Sequence, residues 1–159
     1  KFTYRGYEFQ KLANEENSCY CLLKDIVFES RFGETNDWAK SEIRKRLNEF
    51  DEQGNSLAIK CINKNDLEEV NLNYTSHKIP NGRSSDRITC LSYEEYLAYD
   101  LSTLNNSSWL RSGYSASTNG AFCLLSAGGY GLVIVYASYA VRPALHLKSD
   151  IEVEVIKWL

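Results

Sequence analysis

The chain has 159 residues, of which 43% are hydrophobic and 25% charged, and its formal net charge at pH 7 is −3. This length and balance predict a single globular domain, residues 1–159, whose core is large enough to be stable without cross-links. A weakly acidic chain has no electrostatic attraction for nucleic acid, and no apolar run approaches the roughly 18 residues of a membrane-spanning helix, so neither nucleic-acid binding nor membrane insertion is expected.

The cysteines give no metal or disulfide pattern. Their number is odd and their spacing forms neither a disulfide framework nor a zinc motif, so we expect small buried side chains and no cofactor or metal. The five are Cys19, Cys21, Cys61, Cys90 and Cys123. The chain contains no methionine and begins at Lys1, which predicts a processed or trimmed chain; an earlier signal peptide is left open, and no signal-like segment remains.

The first half of the chain predicts two strands and a helix. "FTYRGYEFQKLA" alternates apolar and polar residues and is predicted as one strand, and the apolar run Cys19–Phe28 as a buried second strand. The period then changes in "NDWAKSEIRKRLNEF", where Asn36 or Asp37 provides the N-cap of an amphipathic helix. One apolar face of that helix contains Ala39, Ile43, Leu47 and Phe50.

The middle of the chain, residues 51 to 87, is polar and rich in turn residues, so a loop-rich region with little regular structure is expected. His77 lies in this region and is expected to be solvated. A short strand follows, and the Ser92–Glu95 spacing of a capping box predicts a second helix that begins at Tyr93.

The remainder predicts strands over residues 121–127, 132–137, 139–147 and 151–156, with "GGYG" as the turn between the first two. Pro143 cannot donate a ladder hydrogen bond, so its strand is expected to be an edge strand or bulged. His146 is expected to face outward, and no catalytic motif surrounds it. The order of elements predicts an α+β fold with two helices packed on a twisted, mainly antiparallel sheet.

Several segments together resemble one bacterial and phage domain family of unknown function. They are "YCLLKDIVFESRF", "WAKSEIRKRLNEF", "ITCLSYEEYLAY", "SSWLRSGY", "NGAFCLLSAGGYG" and "YAVRPALHL", in this order between about Tyr7 and Leu147. That family is similar to the C-type-lectin-type fold of the variable proteins of diversity-generating retroelements and of the formylglycine-generating enzyme. The resemblance implies a C-type-lectin-like domain whose C-terminal sheet presents a binding face. Calcium-dependent sugar binding is not implied, because the calcium-ligand motifs of lectins are missing.

Residues 130–139 depart from that family, whose members have polar residues, often Asn, in this segment. The Tyr, Leu, Val, Ile and Ser found here are the types that adenine-directed mutagenesis of Asn codons produces. A well-packed strand is the alternative interpretation, since β-branched residues favour strands in any case. Both interpretations stay open at the level of the sequence.

The favoured function is a non-enzymatic binding module for a protein or another cell-surface macromolecule. Its location is left open, with a virion or a cell surface as the candidates. Because residues two apart share a strand face, Tyr130, Leu132, Ile134 and Tyr136 form one stripe, which we expect to be exposed while the alternate residues enter the core. The predicted ligand-binding residues are Arg111, Tyr114, Asn119, Phe122, Leu124, Tyr130, Leu132, Ile134, Tyr136 and Tyr139. The predicted structural residues are Trp109, Arg142 and Pro143.

Two other functions compete with this one. An oxidase like the formylglycine-generating enzyme would need a reactive thiolate such as Cys123, whereas the apolar neighbours of Cys123 predict a buried, inert thiol. A purely structural domain of a phage or cell-surface particle is the second alternative, and its sequence signature would be the same as that of the binding module.

Overall fold

A computed structural model describes residues 1–60, 62–74, 79, 81–99, 101, 107–125, 129–151 and 154–155. These ranges form an α+β fold that is mostly β-sheet and has two short α-helices. The α-helices are α1 (Glu42–Leu47) and α2 (Tyr93–Ala98). The strands are β1 (Phe2–Tyr4), β2 (Tyr7–Asn14), β3 (Ser18–Leu23), β4 (Phe28–Ser30), β5 (Val70–Tyr74), β6 (Gly82–Asp86), β7 (Ile88–Thr89), β8 (Ser108–Gly113), β9 (Gly120–Leu124), β10 (Tyr130–Ile134), β11 (Tyr139–Val141), β12 (Ala144–Lys148) and β13 (Glu154–Val155).

The strands form two larger sheets and a separate hairpin, where the sequence predicted a single sheet. The six-stranded sheet has the order β13-β1-β2-β3-β12-β7 and is antiparallel throughout. The five-stranded sheet has the order β10-β9-β8-β11-β4, in which only the contact between β11 and β8 is parallel. The hairpin pairs β5 with β6.

The predicted strand over residues 139–147 is wrong, because its two halves belong to different sheets. β11 lies in the five-stranded sheet and β12 in the six-stranded sheet, and only Arg142 and Pro143 connect them. Pro143 has no N–H to offer a ladder, and its carbonyl accepts the N–H of Leu23 at 2.9 Å. The proline therefore marks the crossing between the sheets, not an edge or a bulge.

The N-terminal segment is likewise two strands instead of the single strand predicted. Arg5 and Gly6 both have positive φ, 54° and 84°, and form the turn between β1 and β2. Such a pair of left-handed residues is the signature of a two-residue hairpin turn whose twist matches that of the strands.

One of the two predicted helices is observed as predicted, and the other is divided into two shorter elements. α2 begins at Tyr93, and the capping box of Ser92 and Glu95 is present, so that prediction is confirmed. The predicted helix over residues 37–50 is instead a 3₁₀ turn, Trp38–Lys40, followed by α1. Asp37 caps the 3₁₀ turn, but Ser41 has extended backbone angles and its side chain accepts the N–H of Arg44, which starts a new helix.

The middle region contains a hairpin that the sequence analysis missed. β5 and β6 pair from Val70 to Asp86, and Leu72, Tyr74, Ser84 and Asp86 are buried while the residues between them are exposed. Asp86 is buried because it accepts hydrogen bonds from the Trp38 indole at 3.0 Å and from the Arg44 guanidinium at 2.6 Å. Contacts with distant parts of the chain thus stabilise strands in a segment whose polar sequence does not predict them.

The five-stranded sheet has a hydrophobic cluster on each of its faces. Trp109 and Cys123 belong to the larger core, which also contains Trp38 and Phe32. The alternate residues Leu110 and Leu124 belong to a smaller cluster on the other face. None of the helices in the described part of the chain has the length and apolar character needed to cross a membrane.

Candidate functional site

The most exposed apolar side chains of the sheet lie on β10, its edge strand, and in the turn that follows it. Tyr130, Leu132, Ile134 and Tyr136 are 47%, 48%, 54% and 54% exposed, respectively. Between them, Val133 is half-buried against the larger core and Val135 is fully buried. The prediction that one alternate set is exposed and the other enters the core is confirmed.

The pairing of β10 with β9 continues this surface. Leu132 lies opposite Phe122, which is half-buried, and Ile134 lies opposite Gly120. Because Gly120 has no side chain, the neighbouring Tyr114 lies over this position, 3.6 Å from where a Cβ would be, and is itself exposed. Strand pairing thus brings four of the predicted residues onto one face.

Helix α2 adds aromatic side chains that the sequence analysis did not include. The Tyr93 ring stacks on Phe122 at a centroid distance of 4.4 Å and meets the Tyr130 ring edge-on at 4.9 Å. Tyr96 contacts Tyr130 at 6.0 Å. A hydrogen bond with Tyr130 raises the pKa of the Tyr93 phenol. These aromatic contacts are worth about 0.5–1.5 kcal/mol each beyond their buried area, so they hold Tyr130 in place.

We call this surface the β10 patch. It consists of Tyr93, Tyr96, Phe122, Tyr130, Leu132, Ile134 and Tyr136. No Asp, Glu, Lys, Arg or His occurs in the sequence between Arg111 and Arg142, so the β9–β10 part of the patch is free of formal charge. Leu97, on the outer face of α2, is also exposed, at 59%. The spacing of 93, 96 and 97 is that of one helical face, which is the signal that could have identified these residues.

Arg111 was predicted to contact a ligand, and the structure corrects this. Its side chain is 3% exposed, and Nη1 lies 2.6 Å from Glu95 Oε1. Nη1 also donates to the Cys90 carbonyl at 2.8 Å, and Nε donates to the Asn73 carbonyl at 2.9 Å. Arg111 therefore joins β8 to α2 and β5 from the inside and is not available to a ligand.

Leu124 and Tyr139 are not exposed on the patch, although Leu124 lies directly opposite Tyr130. Leu124 is 3% exposed in the smaller hydrophobic cluster, because that cluster covers this end of β9. Tyr139, on β11, is half-buried and packs edge-on against Trp109 at 5.5 Å. Asn119 is exposed in the turn before β9, and its carbonyl accepts the Val135 N–H, which places it beside the end of the stripe.

The three predicted structural residues are buried. The Trp109 indole donates to the Ser30 carbonyl at 2.8 Å and so connects β8 to β4. Arg142 Nε donates to the Lys24 carbonyl at 3.1 Å, just after β3. With Pro143, these residues lie where the two sheets meet, as a scaffold role requires.

In the described part of the chain, burial raises the pKa of each thiol, which favours the protonated form near neutral pH. Cys123 is fully buried, its Sγ lies 3.0 Å from the Ser108 carbonyl, and burial raises its pKa to about 12. The prediction of a buried thiol is confirmed. Burial also raises the pKa of Cys90 to about 12, and that of Cys21 well above its usual range. Cys61 lies outside the described residues.

His146 does not face outward as predicted. It is 2% exposed, its ring stacks on Tyr20 at a centroid distance of 4.2 Å, and its Nε2 lies 3.4 Å from Glu15 Oε1. Burial lowers its pKa, although Glu15 opposes that shift. His77 lies outside the described residues. Over the ranges that the structure covers, no three His, Cys, Asp or Glu side chains gather as metal ligands would.

Comparison of the chain with protein-family models, with curated proteins and with solved structures gives no match.

Proposed function

We propose that this chain is a non-enzymatic binding module of divergent C-type-lectin-like type, which presents the β10 patch to a protein or another surface macromolecule. One observation supports this most strongly: four large apolar side chains on one edge strand and its turn are about half exposed, while their alternates enter the core. Water contact at apolar surface is unfavourable, and contiguous exposed apolar patches commonly mark interaction sites.

The composition of the patch indicates what kind of ligand it takes. Four tyrosines provide large contact areas at low cost in side-chain entropy, and their hydroxyls offer hydrogen bonds. The absence of charge on β9 and β10 favours an uncharged, partly apolar protein surface over a phosphate-bearing or strongly ionic ligand.

The C-type-lectin-like assignment is supported by how the motifs of the resemblance meet. Ser108, beside the Trp-Leu-Arg-Ser motif, pairs directly with Ala140, beside the Val-Arg-Pro-Ala-Leu motif. The two motifs thus lie on neighbouring strands of the sheet that contains the patch. Two short helices and a loop-rich segment between α1 and β5 agree with the same assignment.

Diversification of the patch by a retroelement is part of this proposal. Exposed side chains can change with little effect on stability, whereas Val133 and Val135 contact the core. A template repeat near the gene should therefore differ from this chain at positions 130, 132, 134 and 136 more than at 131, 133 and 135. Differences concentrated at the core positions, or a gene with no template repeat, would argue for an undiversified strand.

Selection from a phage-displayed library of random peptides tests the binding role. Peptides selected on the wild-type chain should bind a Leu132→Ser, Ile134→Ser double variant at least about tenfold more weakly, since each truncated hot-spot contact costs 1 kcal/mol or more. Leu57→Ser is the matched control, because Leu57 is a similarly exposed leucine, 58%, outside the patch. Peptides that bind wild type and the double variant equally would refute the proposal.

A further inference from the structure

The outer edge of β10 has a defined hydrogen-bonding register. The Leu125 N–H donates to the Gly129 carbonyl and the Val135 N–H to the Asn119 carbonyl, both at 2.8 Å. Hydrogen-bonded pairs alternate along an antiparallel ladder, so Gly131 and Val133 also direct their main-chain groups at β9. The N–H and C=O groups of Tyr130, Leu132 and Ile134 therefore point away from the sheet.

Most of these outward groups have no partner in the part of the chain that the structure describes. The Ile134 carbonyl accepts the Ala137 N–H at 3.0 Å in the turn that follows. The N–H and C=O of Tyr130 and Leu132, and the N–H of Ile134, form no hydrogen bond with any described residue. These are the donors and acceptors that an added strand would use.

Edge strands in soluble proteins are usually protected by charged side chains, prolines or bulges. β10 has none of these: its sequence is Tyr-Gly-Leu-Val-Ile, and its pairing with β9 is regular over all five residues. An unprotected apolar edge of this kind is a template for another strand.

We propose that β10 pairs antiparallel with β10 of a second copy of this chain, around a twofold axis at Leu132. The outward-facing positions, 130, 132 and 134, are symmetric about this residue, although the Ile134 carbonyl already accepts the Ala137 N–H. In this register Leu132 pairs with Leu132 of the second copy, and the Ile134 N–H donates to the Tyr130 carbonyl of the second copy. The same bonds form in the reverse direction, so the interface is self-complementary.

The side chains also suit this arrangement. Tyr130 of one copy lies beside Ile134 of the other, which is a favourable aromatic–β-branched cross-strand pair. No like charges come together, because the strand and its flanking turns contain none. A foreign strand would need a matching sequence, whereas a second copy provides one by symmetry.

The available area predicts a weak dimer. Four side chains of this size that are half exposed provide about 400 Å² per copy, roughly half of what a standard interface buries on each partner. We therefore expect the chain to be a monomer in dilute solution and to dimerise only at high concentration. The dimer would place two β10 patches side by side on one continuous sheet. Its existence does not depend on the proposed function, since it requires no other partner.

Sedimentation velocity of the purified chain, from about 5 to about 500 µM, tests the dimer. Wild type should shift from monomer to dimer over this range. Leu132→Pro removes the outward N–H but no hydrogen bond to β9, and it should raise the dissociation constant at least tenfold. Leu132→Ala keeps the N–H and should have the smaller effect. A wild-type monomer at the highest concentration, or a Leu132→Pro variant that dimerises like wild type, overturns the proposal.

Oxidative cross-linking provides a second measurement that does not rely on the proline variant folding. Paired residues across the twofold axis have Cα atoms about 5.5 Å apart, which is within disulfide range. Leu132→Cys should therefore form a disulfide-linked dimer under mild oxidant, whereas Leu57→Cys, the control, should cross-link no more than wild type. Equal cross-linking of the two variants would show that any dimer uses another surface and would refute this one.

Discussion

The five-stranded sheet has two edges, β4 and β10, and charge distinguishes them. β4 has only three residues, and its central Glu29 is exposed. The Arg46 guanidinium lies 3.7 Å from the centroid of the Phe28 ring, and its Nη1 donates to the Glu29 carbonyl at 3.5 Å. β10 has five residues, an apolar exposed face and no charged side chain.

The difference shows how one edge of a sheet can be protected from pairing with another strand while the opposite edge remains available for it. At β4, a cation from α1 covers both an aromatic ring and a main-chain acceptor, which discourages pairing with another chain. At β10, exposed apolar side chains and free main-chain groups occur on the same residues. Pairing with another strand would therefore bury apolar surface and form main-chain hydrogen bonds at the same place. The contrast predicts interaction at β10 and none at β4.

The comparison of the two edges assumes that the sheet between them is rigid. The largest expected loss of stability therefore comes from removing a buried ion pair that holds this sheet. Arg111→Ala leaves Glu95 without its buried partner and should lower the free energy of unfolding by about 3–5 kcal/mol. Arg31→Ala is the control, since Arg31 also pairs with a glutamate, Glu42, but both are exposed, and the expected loss is below about 1 kcal/mol. Urea denaturation of both variants measures the difference; equal losses would contradict the scaffold role of Arg111.

The next test separates the buried and exposed leucines of neighbouring strands. Leu124→Ala removes a side chain from the smaller hydrophobic cluster and should cost about 2–5 kcal/mol. Leu132→Ala, on β10, should change stability by less than about 0.5 kcal/mol. Denaturant midpoints of the two variants in dilute solution provide the comparison. A loss of more than about 2 kcal/mol for Leu132→Ala would mean that β10 is core after all.

A smaller effect is expected at the protected edge. Arg46→Ala removes the cation over the Phe28 ring and should destabilise the chain by about 0.5–1 kcal/mol. Lys45→Ala alters the exposed neighbouring cation on α1 and should be close to neutral. If both variants unfold at the same thermal midpoint as wild type, the contact of Arg46 with Phe28 does not stabilise the β4 edge.

The smallest expected effect is a pH dependence of stability that comes from His146, on β12 of the six-stranded sheet. Burial keeps His146 neutral in the folded state, so below its ordinary pKa of 6.5 the unfolded chain binds more protons than the folded chain. Stability from this group is complete above pH 6.5 and declines as the pH falls toward the lowered pKa. The thermal midpoint should decrease between about pH 7.5 and 5.5, and less so in His146→Gln.

The same acidification should leave self-association through β10 unchanged, because no carboxylate, amine or imidazole lies between Arg111 and Arg142. Sedimentation at both pH values checks this. A midpoint that rises on acidification, or a dimer that dissociates, would show that a different titrating group governs the behaviour.

Local sequence signals predicted the parts of the fold that depend on local interactions. The capping box at Ser92 gave the correct start of α2, and the alternation of residues 130–136 gave the correct exposed face. The bounds of that strand differ, because it was predicted over 132–137 and spans Tyr130–Ile134. The crossing at Pro143 and the β5–β6 hairpin were missed, because they depend on which distant strand offers a partner. Sequence patterns of period two indicate a strand but do not specify its sheet.

The candidate site shows the same division. The exposed stripe followed from its alternation, but Arg111 and Leu124 also lie in strands of suitable pattern and are buried. Their burial results from Glu95 on α2 and from the smaller cluster, both of which come from other parts of the chain. Tyr93 and Tyr96 were overlooked for the same reason, since only tertiary packing brings α2 next to Tyr130.

The position of β11 has a consequence for the order of folding. β9 and β10 are neighbours in sequence, and a hairpin of this kind forms in about 1–10 µs. β4 can join the same sheet only after Tyr139 has found Ser30 across most of the chain, and such distant pairings make folding slow, in milliseconds to seconds. The uncharged hairpin is thus expected to be formed and exposed while the rest of the sheet is still incomplete. Refolding yield should therefore fall with protein concentration, and Leu132→Lys should restore it.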